Sequence, residues 1–220
     1  MRFEDLGLMP YRQAWQVQEE IHDQVLNGGE ERVLLVEHPP VITFGRRPGV
    51  APNLLASDEQ LARLGVEVVQ SDRGGDITFH GPGQIVAYPI IRLNDHRLSV
   101  SGYVHALERI VVAALADFDI AAHADPKAVG VWTGDNGIDA KICALGVRIK
   151  RGVSLHGIAL NVETNLAYFD LIVPCGLVGR PVTSVRKVLG ERSPSVGQVK
   201  NSLRSHLHSL HSRDSSNASR

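Results

Sequence analysis

Cysteine is scarce in this chain of 220 residues: only Cys143 and Cys175 are present, neither in a C-x-x-C pair nor near metal-finger spacing. A disulfide framework is excluded, and a reducing compartment is expected. An excess of one charge is also lacking. Lysine and arginine number 23 against 24 aspartates and glutamates, a formal net charge of -1, whereas a nucleic-acid-binding domain carries a strong basic excess. No nucleic-acid partner is therefore expected. No apolar run reaches the roughly 20 residues of a membrane span. The opening MRFEDLGLMPYRQAWQ has acidic and polar residues where a secretion signal needs a basic patch and an apolar stretch. A cytoplasmic setting without membrane attachment is the expectation. Phosphate motifs are missing as well: there is no Lys-Ser/Thr at P-loop spacing and no G-x-G-x-x-G between strand and helix. What is there, 43% hydrophobic and 21% charged residues, suits one domain with a sizeable core.

Periodicity gives the elements. Ala14, Val17, Ile21 and Val25 recur at helical spacing from Tyr11 to Leu26, with Pro10 at the start and Gly28-Gly29 at the stop. Strands are predicted at 33–38, 41–45, 66–70 and 85–93, the first two separated by the His38-Pro39-Pro40 corner. Ser101 is predicted to cap a second helix with Val104, Leu107, Val111, Ala114 and Leu115 on one stripe. A tail helix from about Ser195 carries Val199, Leu203, Leu207 and Leu210. From Ala128 onward AVGVW, KICALGVRI and VSLHGIALNVE follow one another across tight turns, which implies antiparallel pairing. Helices grouped at the ends, rather than alternating with strands, argue for an α+β fold over a doubly wound sheet. Residues 1–211 read as one domain, and 212–220, without apolar content, as a disordered tail.

Three segments invite chemistry. Arg73 to Gln84, RGGDITFHGPGQ, sets four glycines among Arg73, Asp76, Thr78, His80 and Gln84. Glycine lets backbone approach a ligand closely, although Gly-Pro-Gly equally marks plain turns. The second segment, 141–163, reads as a hairpin whose Lys150-Arg151-Gly152 suits a three-residue loop. Ile149 would then face Val153, with Leu145 opposite Gly157, Cys143 opposite Ala159 and Lys141 opposite Asn161. Such a bare strip beside a lysine suits a long apolar ligand or the close approach of another element. The third segment, DLIVPCGLVG, presents Cys175 between Pro174 and Gly176. A buried structural thiol and a nucleophile both fit; the latter needs a neighbouring cation or base, with Lys141 and His80 as candidates. Basic groups at Arg46-Arg47, at Arg148, Lys150 and Arg151, and at Arg180, Arg186 and Lys187 are solvated faces or, if convergent, a surface for an acidic partner. His206, His208 and His211 lack the i, i+4 pairing of a metal site, so no metal is expected.

RGGDITFHGPGQ at 73–84, KICALGVRIKRGVSLHGIALNV at 141–162 and PCGLVGRPVTSV at 174–185, together with EHPPVITFGRR at 37–47, resemble in order and spacing the signature regions of the lipoyl(octanoyl) transferase family. Asp76 and Phe79 stand where family members often have glutamine and tyrosine, and Cys143 where alanine is common. The resemblance implies the biotin and lipoate protein ligase catalytic-domain fold, largely antiparallel sheets with packed helices. It implies transfer of an octanoyl group from octanoyl-acyl carrier protein, through a cysteine thioester, to the lysine ε-amine of lipoyl domains on 2-oxoacid dehydrogenase E2 subunits and the glycine cleavage H protein. No cofactor is implied. Matched residue by residue, the nucleophile is Cys175 and its paired lysine Lys141. Substrate-contacting positions fall on Arg73, Gly74, Gly75, Asp76, Ile77, Thr78, Phe79 and His80, on Ala144, Leu145 and Gly146, and on Gly157, Ile158 and Ala159. An ATP-dependent lipoate or biotin ligase, a lipoyl-domain amidotransferase and a noncatalytic carrier-binding protein stand as alternatives.

Overall fold

The computed structural model describes residues 1–135, 138–173 and 180–210. Strands β1 (Arg2–Leu8), β2 (Arg32–Glu37), β6 (Gln84–Ile90), β10 (Val153–Asn161), β9 (Ile138–Lys150), β8 (Ala128–Asp135) and β7 (Ala122–Asp125) lie side by side in that order as one sheet. Only the β1–β2 edge is parallel. A smaller sheet carries β4 (Glu67–Gln70), β3 (Val41–Phe44) and β5 (Ile77–His80) in the order β4-β3-β5. This mixed, antiparallel-rich arrangement is the α+β class expected from the grouping of helices.

The continuous apolar strands are buried on both faces, and their alternation divides two cores. Val33 and Leu35 of β2, Ile85 and Ala87 of β6, and Ile158 and Leu160 of β10 pack with Val185 of the short α4 (Val185–Leu189) beneath α3 (Val100–Ala116) and α5 (Val196–Leu207). Leu34 and Val36, Val86 and Tyr88, and Ala159 face the other way, onto Ala14, Ile21 and Val25 of α1 (Tyr11–Leu26). A third core holds Ile42, Ile77, Phe79 and Phe169 under the small sheet, beside α2 (Asp58–Leu64), which contributes Leu61. Ser99, not Ser101, caps α3: its side chain accepts from the Gly102 N–H at 3.0 Å. The tail helix begins at Ser195 as expected, in a capping box with Gln198.

The hairpin differs by one residue from its predicted register. Lys150 pairs with Val153, so the loop is the two residues Arg151 and Gly152, at φ of 54° and 82°. Two successive positive φ values are the mark of a type I′ turn. Gly157 therefore faces Gly146, Ile158 faces Leu145, Ala159 faces Ala144, and Cys143 faces Leu160. That slip alone would send Lys141 to the opposite face. A β-bulge reverses it: Val131 pairs with Cys143 and Trp132 with Lys141, leaving Ile142 as the extra residue. Ile142 and Cys143 both reach the core under α3, and Lys141 returns to the face that carries Ala144.

Close backbone approach explains Gly157. A Cβ there would lie 2.1 Å from the Ala87 carbonyl oxygen of β6. The substitution Gly157→Ala must push two central strands apart, an expected loss of roughly 2 to 4 kcal/mol read as a lower urea midpoint. An unchanged midpoint would mean that β6 yields.

Candidate active site

The glycine-rich segment contains a strand that the sequence reading passed over, and this strand turns the segment into two differently oriented faces. In β5, Thr78 and His80 look toward the hairpin, whereas Phe79 looks into the third core, stacked on Tyr168 at 4.7 Å and edge-on to Phe169 at 5.6 Å. Between β5 with its preceding loop and the β9–β10 hairpin runs a narrow cavity. Its walls are Arg73, Gly75, Asp76, Ile77, Thr78 and His80 on one side and Ala144, Leu145, Gly146, Gly157, Ile158 and Ala159 on the other. Gly74 and Phe79, alone among the sequence-predicted contact residues outside the Cys175 segment and Lys141, do not line it. Gly74 instead ties the loop to β9 through its N–H, which donates to the Val147 carbonyl at 3.0 Å. Gly146 is small for the same reason: a Cβ there would meet the Gly74 oxygen at 2.9 Å.

Arg73 and Asp76 spend most of their polar atoms on shaping the loop. The Arg73 guanidinium is buried, with Nε and Nη2 donating to Thr43 Oγ1 at 3.1 and 2.9 Å and Nη2 to the Thr43 carbonyl at 2.6 Å. Asp76 Oδ1 accepts from the Ile77 N–H at 2.6 Å and from Asn53 Nδ2 at 3.0 Å. Charge-assisted bonds of this kind fix geometry strongly in a buried setting. The loop is thereby preorganised.

His80 is 5% exposed and held in a defined tautomer. Gln84 Nε2 donates to the Phe79 carbonyl and to Asn161 Oδ1, so Gln84 Oε1 is left to accept from His80 Nδ1–H at 2.7 Å. Nε2 then carries the lone pair. Burial, followed by the neighbouring His38 and Arg73, holds the His80 pKa well below its ordinary value. A neutral ring in this position can accept a hydrogen bond or orient a substrate carbonyl's partner, but it is a weak base. The chain continues from Asn161 Nδ2 to the Thr183 carbonyl at 3.0 Å.

Four wall residues escaped the sequence reading: Tyr11, Val86, Tyr88 and His156. The first three sit in segments that read as ordinary helix and core strand. His156 gave a usable signal, a polar ring in an apolar strand directly before Gly157. It adopts φ 57°, donates from Nε2 to Asp72 Oδ1 at 2.6 Å, and leaves a buried Nδ1 that meets no hydrogen-bonding group among the described residues. Asp72 also pairs with Arg148. Burial raises the phenol pKa values of Tyr11 and Tyr88, so both stay protonated at neutral pH.

Lys141 is buried at 8% exposure, with Nζ donating to the Val129 carbonyl at 3.0 Å and lying 4.7 Å from the Trp132 ring centre. The Arg180 guanidinium stands 3.6 Å over the same ring and bonds Asp125 at 2.5 Å. Backbone bonds sew the segment after residue 179 to Lys141 itself: the Lys141 N–H donates to the Pro181 carbonyl and the Thr183 N–H to the Lys141 carbonyl, both at 2.9 Å. On the other side, the Val173 N–H donates to the Asn53 carbonyl at 2.7 Å, and Asn53 holds Asp76. Cys175, with Pro174 and Gly176, lies outside the described residues, as does the 212–220 tail. Cys143 is inert by contrast: burial raises its pKa to about 12, leaving almost no thiolate at neutral pH. Among the described residues no cluster of His, Cys, Asp or Glu could hold a metal ion, and no helix is long and apolar enough to cross a membrane. His206 bonds Asp117 and the His208 ring lies tilted against Phe3; His211 is outside the described residues.

Comparison with known proteins places the fold. The model of the lipoyl protein ligase A/B catalytic domain matches residues 10–208. Over 211 residues the chain is 46% identical to an octanoyltransferase of Syntrophobacter fumaroxidans, covering 96% of this chain and 90% of that protein. An octanoyltransferase of Rubrobacter xylanophilus is 47% identical over 196 residues, which is 87% of this chain and 85% of that one. Among solved structures, a lipoate-protein ligase A bound with ATP superposes with a TM-score of 0.77 at 17% identity, over 96% of this chain and 85% of that one. At that identity the likeness is one of fold.

Proposed function

Because the chain belongs to the lipoyl protein ligase A/B family, and within it to the octanoyltransferases, it is an acyltransferase that moves octanoyl groups in protein lipoylation, and we propose that it does so through a thioester on Cys175 with Lys141 as the cation beside it. Lipoyl domains are the acceptors. Within that class we assign the E2 subunits of 2-oxoacid dehydrogenases and the glycine cleavage H protein, with octanoyl-acyl carrier protein as the donor and the cytoplasm as the setting.

The observation that carries this reading is the placement of Lys141: buried, and bonded through its own backbone to the chain just beyond the Cys175 segment. In the first half-reaction the Cys175 thiolate attacks the donor thioester carbonyl. A new C–S bond forms, the old one breaks, and the departing carrier thiolate takes a proton from Lys141. In the second, the acceptor amine attacks the acyl-cysteine, its proton goes to Lys141, and Cys175 leaves as thiolate. Lys141 ends the first half-reaction one proton short and regains that proton in the second, so the complete cycle returns both side chains to their starting states. A thioester donor is already activated, so exchange is near isoenergetic and needs no ATP. The acyl chain would lie along the small residues Ala144, Gly146, Gly157 and Ala159, with Thr78 and His80 across the cavity.

The donor's docking face is assigned to Arg46 and Arg47. Both are exposed, and their backbone N–H groups donate to the Arg73 and Gly75 carbonyls at 2.9 and 3.2 Å, so their positive charge sits on the rim of the loop, with the Arg47 guanidinium also 3.9 Å from Asp76 Oδ2. Arg148 and Arg180 are already committed to Asp72 and Asp125. An acidic carrier protein suits that rim.

Intact mass spectrometry after incubation with octanoyl-acyl carrier protein, with no ATP present, tests the route. Wild type should gain one octanoyl group and Cys175→Ala none. Carrier binding without any adduct would favour a noncatalytic binder, and adduct-free activity that requires ATP would favour a ligase.

A further inference from the structure

We propose that Glu108 is a positioning residue for Lys141, acting through the single peptide group that joins Val129 to Gly130. This rests on the reading of Lys141 as the cation that supports the Cys175 thiolate.

Glu108 is out of place by sequence. It lies on the buried side of α3 among Leu107, Val111 and Leu115, and is 3% exposed. A carboxylate is not buried in such a face without partners, and it has two. Glu108 Oε2 faces His105 Nδ1 at 3.0 Å, and Oε1 accepts from the Gly130 N–H at 3.1 Å. The carbonyl of that same peptide, Val129, accepts from Lys141 Nζ at 3.0 Å. Carboxylate and ammonium therefore sit at opposite ends of one peptide unit.

The orientation is favourable at both ends. A peptide carries a dipole of about 3.5 D with its positive end at N–H and its negative end at C=O. Here the negative charge meets the N–H and the positive charge meets the C=O. Hydrogen bonds in series polarise one another, and the low dielectric of a buried site strengthens each. Gly130 makes the arrangement possible. At φ 139° it has no Cβ, and one placed there would lie 3.0 Å from Lys141 Cε and 2.9 Å from the Cys143 oxygen. The strand thus leaves open the space in which the lysine stem lies across the peptide.

Among the described residues, other charged and titratable groups near Lys141 come from each element around it. His105 stands behind Glu108 on α3, and Cys143 lies on β9. Arg180 shares the Trp132 ring and is neutralised by Asp125. None of these places a negative charge on the Val129–Gly130 peptide. A tie that only fastens α3 to β8 (Ala128–Asp135) would need an acceptor at Glu108 Oε1 and nothing more. The charge would be dispensable.

The substitution Glu108→Gln separates the two roles, because glutamine keeps an acceptor for the Gly130 N–H and loses the charge. With lysine labelled at Cε and Nζ, magnetic resonance titration of the free protein should find that Lys141 loses its proton about one pH unit lower in Glu108→Gln than in wild type. The alkaline limb of the octanoyl loading rate should move with it. Glu108→Asp, which keeps the charge, should restore most of the difference. Equal Lys141 titration in wild type and Glu108→Gln would overturn the proposal. If Glu108→Gln does not fold, the wild type alone decides: the Lys141 Nζ resonance should show a second step in acid as Glu108 takes up its proton, and a flat acid limb overturns the proposal. Coupling seen in the titration together with normal loading by Lys141→Met would instead overturn the catalytic reading of Lys141 and leave the coupling intact.

Discussion

Lys141→Met should load octanoyl from its carrier at least about 100-fold more slowly than wild type at pH 7, the lower end of what a positioned proton donor contributes. Methionine is chosen because the site is buried, and a long unbranched apolar side chain fills the volume of the lysine stem over Gly130. Loss of rate then reports loss of charge and proton rather than collapse. Two effects act together. Without the ammonium, Cys175 reverts toward ordinary thiol behaviour, which leaves only a few per cent thiolate at pH 7. Without the proton, the departing carrier thiolate must draw on solvent. The first deficit has a distinctive pH dependence: as pH rises through about 8.5 the variant should regain rate, because the free thiol then ionises unaided. The second deficit remains at every pH. Single-turnover loading followed by quench and mass spectrometry from pH 6.5 to 9.5 separates them. Loading within threefold of wild type at pH 7 would remove Lys141 from the mechanism and return the Val173 and Thr183 anchors to a purely structural role.

The parts of this architecture that were legible in the sequence are those set by local chemistry. Helix α1 runs from Tyr11 to Leu26 as its apolar spacing and Pro10 predict, and the apolar runs of β2, β6 and β10 are strands buried on both faces. Strand β1 was not seen because it is an edge strand with Glu4 and Asp5, whose charges protect an edge and hide its pattern. Strand β5 was hidden inside a glycine-rich segment that reads as loop. Helix α2 has its Ser57 cap and Gly65 stop, but its seven residues bury only Leu61 and so show no apolar period. The hairpin register failed for a specific reason: a type I′ turn is signalled by Asn or Gly, and here Arg151 takes the first left-handed position, so the three-residue loop looked equally good. The bulge at Ile142 that restores Lys141 to the Ala144 face has no local signature at all. For the candidate site, small residues and glycines marked both walls, because close approach demands them wherever it occurs. The rings of Tyr11, Tyr88 and His156, by contrast, arrive from distant parts of the chain, and the Glu108 contact is made across the sheet. Tyr11 and Tyr88 leave no pattern in neighbouring residues, whereas His156 and Glu108 show only as polar side chains in apolar stretches, with nothing local to name their partners.

Acid should destabilise the fold below about pH 6.5, through the histidines buried beside the cavity. His38 is fully buried, donating from Nδ1 to the Met9 carbonyl at 2.7 Å and accepting at Nε2 from the Tyr88 hydroxyl at 2.8 Å. Its ring stands 5.8 Å from that of His80. Burial lowers the His38 pKa to about 4, partly opposed by the Met9 bond, and lowers that of His80 too. Burial, with Arg73 and Arg148 nearby, also lowers the His156 pKa, to about 3, while its Nε2 contact with Asp72 favours the protonated ring. In the unfolded chain a histidine titrates near 6.5, so between pH 6.5 and 4 the unfolded state binds the extra proton. The stability held by a neutral His38 is therefore complete above about pH 6.5 and drains away as pH falls toward 4. By pH 5 the loss from this one residue is about 2 kcal/mol, a sizeable part of a typical folding free energy, and His80 adds in the same direction. Protonation also converts Nε2 from acceptor to donor, so the Tyr88 hydroxyl must turn and the cavity wall loses its ordering bond. Urea unfolding at intervals from pH 7.5 to 5 should show the midpoint falling steadily below 6.5. In His38→Gln the same series should start lower, because a well-placed ring is gone, and fall less steeply, because one titrating group is gone. A wild-type midpoint that stays level down to pH 5 would mean that the cavity admits the protons without unfolding, and the rings lining it would then be free to serve as bases rather than as a rigid wall.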